Sequence, residues 1–331
     1  MNASSTVLRA NASRIFRGAR QFSIEKVSSK DLKIVKNPSM EQIEQFQKLI
    51  GGENDIKLLK ETMNDNYHLY LLCHKADSTV VSGTQSILYK SLNPSTPDFQ
   101  TFGLSYQPDN VYHLLPHLLC EMTTDLDSVQ MNSGGCVDSK NSAVWRKVLH
   151  TKVRGPTYYV SSYKRDEVFN PELEWENVAV VKKFDEVPTE DVISYDNSIF
   201  PYDREEFLLA KFKQGFGRVA YDKSGKVIGI GLVSFEEPSG TCDIGPIYCD
   251  HKNAAQAIFQ SILGELKDLK YQEIHVRCSD KFEESATWIR PFLRCRHEMT
   301  PFGYIKFNRV IPDGLQFSKV FVNSNPSSAP C

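Results

Sequence analysis

Ser142-Ala143-Val144-Trp145 returns as Ser285-Ala286-Thr287-Trp288, about 143 residues further along a chain of 331, and self-similarity at a long offset signals a repeated structural unit. Neighbouring features keep nearly the same offset. Val81-Ser82-Gly83 matches Gly229-Ile230-Gly231, Tyr106 matches Tyr248, and Pro156 with Tyr159 and Val160 matches Pro301 with Tyr304 and Ile305. A drift of only ~5 residues is what short loop insertions leave behind. The chain reads as two tandem copies of one domain, and its length allows two units of ~100–200 residues, each able to bury its own core.

Composition narrows the function classes. With 40% hydrophobic and 24% charged residues the chain has the balance of an ordinary globular protein, and no run nears the ~20 apolar residues of a membrane-crossing helix. A formal net charge of −2 speaks against nucleic acid as a partner, because that role asks for a basic surface facing phosphates. The eight cysteines contain no C-x-x-C pair, so they suggest neither a disulfide framework nor a zinc module, and no metal is expected. Cys249 with His251 and Cys295 with His297 come nearest to ligand spacing, but two ligands do not complete a tetrahedral site.

Residues 1–22 are of a different kind. Arg9, Arg14, Arg17 and Arg20 stand among Ser, Ala and Asn with no acid before Glu25, the composition of a mitochondrial transit peptide. Arg20-Gln21-Phe22-Ser23 resembles a matrix-protease site, so a matrix protein beginning at Ser23 is expected.

In the second copy the pattern predicts a strand over 178–183 and a helix opening at Asp203-Arg204-Glu205-Glu206, with Phe207, Leu208 and Phe212 turned inward. Strands over 218–221 and 227–235 flank the turn Asp222-Lys223-Ser224-Gly225, and 242–248 is a further strand. Ala255, Ile258, Phe259, Ile262, Leu263, Leu266 and Leu269 follow helical spacing. A strand over 273–278, a helix over 284–293 and a strand over 304–308 complete the copy. The first copy repeats the order: a helix from Met40, a hairpin of 68–74 and 79–89, strands over 99–106, 129–136 and 157–162, and helices over 111–126 and 142–149. Pro116 falls inside the helix 111–126, where it removes a backbone donor and kinks the turn. The division expected is 1–22 targeting, 24–165 first domain, 166–177 linker, 178–310 second domain, and 311–331 a frayed tail. The fold class is α/β (α+β), each copy a central mixed sheet covered by helices.

Cys242-Asp243-Ile244-Gly245-Pro246-Ile247-Tyr248-Cys249 before a helix, then Ser285-Ala286-Thr287-Trp288 and Pro301-Phe302-Gly303-Tyr304, resembles the GNAT superfamily of N-acyltransferases. The stretch Phe200-Pro201-Tyr202-Asp203-Arg204-Glu205-Glu206-Phe207-Leu208, together with Ile244 to Tyr248, is similar to the YitH/HolE type of acetyltransferase domain. The resemblance covers residues ~178–310 well and ~27–165 more faintly. It implies two tandem GNAT-like domains and acetyl-CoA or another acyl-CoA as co-substrate, held where the fourth strand splays from the fifth. Strand backbone would pair with the pantetheine arm, and amides at the next helix N-terminus would hold the pyrophosphate. Those groups would belong to Ile244, Ile247, Tyr248, Lys252, Asn253, Ala254 and Ala255, although Asp250-His251-Lys252-Asn253-Ala254-Ala255 replaces the family's glycine-rich turn.

An amine must lose a proton before it attacks a thioester, and the departing thiolate must be stabilised or protonated. The resemblance implies Asp243 as the base and Tyr304 as the acid. Asp243 also reads as a strand-start residue bonded to the turn Gly240-Thr241, and Tyr304 as a packing residue. Thr101 falls opposite Asp243 in the first copy, so the second copy is expected to work and the first to support it. The acceptor expected is a small-molecule amine or amino acid. The other reading is a catalytically silent GNAT-fold protein that binds CoA or a protein partner.

Overall fold

The structure, a computed structural model, describes residues 27–50, 55–106, 108–126, 131–137, 142–236, 240–279, 287–296 and 298–323. The first copy runs β1 (Leu32–Lys36), α1 (Met40–Ile50), α2 (Ile56–Met63), β2 (Tyr67–His74), β3 (Val80–Tyr89), β4 (Phe99–Tyr106), α3 (Leu115–Asp125), β5 (Asn132–Val137), α4 (Ser142–Val148) and β6 (Val153–Lys164). The second runs β7 (Val180–Lys183), α5 (Thr189–Ile199), α6 (Glu205–Gln214), β8 (Arg218–Tyr221), β9 (Val227–Glu236), β10 (Thr241–Cys249), α7 (Lys252–Leu266), β11 (Glu273–Ser279) and β12 (Thr300–Phe307), and then a last strand, β13 (Val320–Val322). Each copy opens with a strand and two amphipathic helices. Ile43 with Phe46, Ile56 with Leu59 and Met63, and Val192 with Tyr195 and Ile199 recur at helical spacing and are buried.

All thirteen strands form one sheet, in the order β1-β2-β3-β4-β5-β12-β6-β11-β10-β9-β8-β7, with β13 branching from β10. The copies have exchanged their last strands. β6 pairs antiparallel with β11 of the second copy, β12 pairs antiparallel with β5 of the first, and β6 and β12 pair with each other in the middle. An unpaired β5 or β11 would be a sticky edge, and the exchange covers both. The two remaining edges, β1 and β7, carry Lys33, Lys36, Lys182 and Lys183, charges that discourage further pairing. The boundaries 24–165 and 178–310 therefore divide the chain but not the sheet.

Three buried clusters fill the two layers. One face of the sheet carries α1, α2, α5 and α6 over a core running through both copies, from Ile43, Phe46 and Leu71 to Tyr195, Leu208 and Ile230. The opposite face carries α3 and α4 over Phe102, Leu118 and Trp145 in the first half, and α7 over Ile244, Phe259 and Trp288 in the second. Within the shared core Arg204 grips Asp196 with two bonds, Nε to Oδ2 at 2.9 Å and Nη2 to Oδ1 at 2.7 Å, and lies over the Phe200 ring. Among the described residues no helix is long and apolar enough to cross a membrane.

Several local expectations are corrected. Pro116 does not kink a helix, because α3 starts at Leu115 after a short 3-10 turn (Tyr112–Leu114) and the proline sits in the first turn, where its missing N–H has no partner to lose. Residues 287–293 are a turn and a 3-10 segment, with Arg290-Pro291-Phe292 too short and proline-bound for the helix expected over 284–293; its start, with Ser285 and Ala286, lies outside the described residues. The segment 311–331 is not frayed as far as Asn323: Val320, Phe321 and Val322 are 0% exposed. The helices α2 and α5 and the strand β1 went unanticipated. The candidate leader 1–22 lies outside the described residues.

Candidate functional site

β10 is the strand on which the candidate site turns. It pairs in parallel with β11 from Thr241 opposite Glu273 to Ile244 opposite Val276, and against β9 its register shifts between Ile244 and Ile247. At that bulge Gly245 has a φ of +131°, a conformation that glycine alone adopts readily, and β10 bends away from β11. A V-shaped cleft opens between the two strands. Past its wide end the chain enters α7, whose N-cap is His251: Nδ1 accepts from the Ala254 N–H at 3.2 Å. One amide expected to face a pyrophosphate is thus already satisfied by a side chain. Ala254 and Ala255 are fully buried against the sheet, while Lys252 and Asn253 are half-buried.

β13 lies in that cleft. It runs antiparallel to β10, with Val322 opposite Ile247 and Val320 opposite Tyr248, and on the other side the Asn323 N–H donates to the Arg277 carbonyl at 3.0 Å. The edge of Ile247 and Tyr248 does accept an extended chain, which is what a pantetheine arm asks of it, but here the occupant is the protein's own C-terminal segment. Phe321 packs its ring at 6.4 Å from Trp288, and the Lys319 ammonium reaches Asp250 Oδ1 at 2.9 Å. Burying a valine or phenylalanine stabilises by ~1.5–3 kcal/mol each, whereas a strand hydrogen bond contributes ~1 kcal/mol net. The three buried side chains of β13 therefore hold the segment more firmly than its backbone bonds do.

Asp243 stands on the face of β10 that carries α5 and α6, since its neighbours Cys242 and Ile244 point into the α7 core. Opposite it on β11, Glu273, His275 and Arg277 share that face, because Ile274, Val276 and Cys278 take the other. Arg277 Nη1 donates to Asp243 Oδ1 at 3.0 Å, His275 Nδ1 lies 3.8 Å from the same oxygen, and His275 Nε2 lies 3.3 Å from Glu273 Oε2. The hydrogen bond from His275 holds the Glu273 carboxyl below the usual range. Asp243 retains 31% side-chain exposure, so its carboxylate is open to solvent. Its partner is therefore an arginine across the ladder, rather than the turn at Gly240.

Tyr304 is elsewhere. It lies on β12, opposite Val137 of β5 and Thr157 of β6, packed against the α3 and α4 core with the Arg154 guanidinium 4.8 Å from its ring centre. Three strand spacings, roughly 14 Å, and the thickness of the sheet separate it from Asp243. The strand exchange is the cause: the last strand of the second copy serves the first. Asp243, Ile244, Ile247, Tyr248 and the start of α7 come together around one cleft, and Tyr304 does not join them. The neighbouring thiols offer no nucleophile, because burial pushes Cys242 and Cys278 up to about 12 and Cys249 well above its ordinary value.

Sequence reading missed Glu273, His275 and Arg277, though alternation along 273–278 sets them on one face. It also missed β13, whose Val320-Phe321-Val322 run has strand composition.

With this geometry in view, comparison with known proteins is direct. The chain belongs to the family described as "Protein of unknown function (DUF1248)", whose model matches residues 29–199, a little over half of its length. Residues 192–286, from α5 through β11, match the model of an acetyltransferase (GNAT) domain. Among solved structures, a Pyrococcus horikoshii protein provisionally assigned as an acetyltransferase superposes with a TM-score of 0.62 at 14% identity, over 94% of this chain and all of its own (100%). The tandem GNAT protein of the clavulanic acid biosynthesis pathway gives 0.54 at 10% identity, over 83% of this chain and 97% of its own. A Drosophila protein gives 0.50 at 12% identity, over 92% and 96%. At these identities the likeness is one of fold, a tandem GNAT arrangement. No curated protein matches the chain in sequence.

Proposed function

We propose that the chain is an acyl-CoA-dependent N-acyltransferase, acetyl-CoA being the first donor to test, acting on a small amine or amino acid through its second copy. The observation that carries the reading is Asp243: a solvent-open carboxylate on the strand that splays from β11 and leads into α7, within a segment matching a GNAT domain. In this reading the pantetheine arm pairs with Ile244, Ile247 and Tyr248, and the pyrophosphate rests near Lys252 and Asn253 at the start of α7. Asp243 takes the proton of the acceptor as its nitrogen attacks the thioester carbonyl; the carbon–sulfur bond breaks and CoA leaves as the thiolate, which takes a proton from solvent. Arg277 positions the carboxylate. His275 and Glu273 add an imidazole and a carboxylate beside the Arg277 guanidinium, which suits an acceptor bearing both an amine and a carboxylate. We also place the second copy with the YitH/HolE type, on the motif around Phe200 and Ile244.

Incubation with acetyl-, benzoyl- and longer acyl-CoA against a panel of amines and amino acids, read by mass spectrometry of the acylated product, tests the reading. Product from at least one pair is expected. CoA bound without product from any pair would favour the silent reading, which the filled cleft also supports.

Residues 1–22 we take as a mitochondrial transit peptide. Fused to a fluorescent reporter, they are expected to carry it into the matrix, and a cytosolic reporter would remove the localisation.

A further inference from the structure

We propose that β13 is a displaceable plug: the C-terminal segment keeps the second cleft shut, and acyl-CoA enters only when residues 320–323 leave it. The proposal rests on the acyl-CoA reading above. Its basis is that one set of backbone groups has two claimants. Val320 and Val322 sit opposite Tyr248 and Ile247, and Asn323 bonds to Arg277 across the cleft, so a pantetheine arm has no room between β10 and β11 while the strand is there.

β13 is also built to leave without taking the sheet apart. It lies off the main strand path, and its register pairs with β10 are confined to Ile247 and Tyr248. The connector from β12 runs largely over the surface, with Val310 and Ile311 exposed, so the segment has chain to move on. Its polar anchors include Lys319 to Asp250 at 2.9 Å, Asn323 Nδ2 donating to the Tyr158 hydroxyl at 3.4 Å and, just upstream, the Gln316 N–H donating to the Ile199 carbonyl at 3.0 Å. Asp250 stands one residue before the N-cap of α7, so the Lys319 ammonium occupies the neighbourhood in which the pyrophosphate is expected. Strand and ligand compete for the backbone edge of Ile247 and Tyr248, and the ammonium of Lys319 would have to exchange Asp250 for the pyrophosphate.

The test uses the full chain. Hydrogen exchange of residues 320–323 is followed with and without CoA, and CoA affinity is measured by calorimetry for the native protein and for the double variant Val320→Asp, Val322→Asp. Carboxylates cannot stay in so buried a slot, and the variant is expected to bind CoA at least ~10²-fold more tightly. In the native chain, saturating CoA is expected to speed exchange at 320–323 by about tenfold or more. Adding Lys252→Glu to the double variant is expected to remove the gain. CoA bound by the native chain with 320–323 still protected would overturn the plug while leaving the acyl-CoA reading in place. CoA bound by neither folded protein would overturn the acyl-CoA reading itself. Should the double variant fail to fold, the exchange measurement on the native chain decides alone.

Discussion

The two halves of this molecule each part a pair of parallel strands, and what fills and lines the two openings differs. In the first copy β4 pairs with β5 from Phe99 to Phe102 and then separates, just after Gly135, where any side chain would strike the Phe102 carbonyl. No strand lies in that cleft among the described residues, but Thr101 stands where the second copy has Asp243, and Pro116 takes a donor from the start of α3. In the second copy the carboxylate is present and α7 is well formed, but β13 occupies the slot. Among the described residues the first half has no carboxylate at the position of Asp243 and no strand beside β4 in its cleft, whereas the second has both the carboxylate and the strand β13.

The largest effect expected from this contrast is on turnover. Asp243→Asn should lower the rate by ~10²–10⁴-fold if the carboxylate is the base, while Thr101→Val leaves it unchanged. Steady-state kinetics on the best donor and acceptor measures both. Equal losses in the two variants would show that the copies have not divided their roles.

Next comes the core beneath both halves. Asp196→Ala removes the carboxylate that balances the buried Arg204 charge and should cost about 3–5 kcal/mol. Because one sheet and one shared core join the copies, thermal unfolding of that variant should remain a single transition at lower temperature. Two separated transitions would mean that the halves are independent units after all.

A smaller contrast lies in the thiols. Cys120, exposed on α3 of the first half, should react with iodoacetamide in the native protein, while Cys242, Cys249 and Cys278 beside the second cleft stay protonated, buried and unlabelled. Peptide mapping separates them. Labelling of Cys249 as quickly as Cys120 would mean that the second cleft opens spontaneously.

The smallest effect belongs to Lys319→Ala. The ion pair with Asp250 is partly solvated, so its loss should change global stability by only ~0–1 kcal/mol in denaturant titration. A larger change would make the polar anchor, and not the buried side chains, the principal hold on β13.

Much of this was legible along the chain. Alternation and helical spacing located β4, β8, β9, β10 and β11 to within a residue or two and α7 to within three, since local pattern records which residues of each are buried. α2 and α5 carry the same kind of signal in Ile56, Leu59 and Met63 and in Val192, Tyr195 and Ile199, but over only about two to three turns each. Pro116 misled because a proline inside a helix and one at its start look alike until the preceding turn is known.

The amino-acid sequence by itself determined the duplication, the α/β class, the strand that carries Asp243 and the helix after it, because repeats, periodicity and caps are local properties written residue by residue, while the splay of that strand was only what the family resemblance implied. Only the tertiary structure decided that β6 and β12 change places, that Tyr304 consequently serves the other half, that Arg277 and His275 face Asp243, and that β13 fills the cleft. Each of these is a pairing between segments far apart in the chain. A strand's composition says that it needs a neighbour, but which strand becomes that neighbour is settled by what leaves the fewest bare edges and the least exposed apolar surface in the whole.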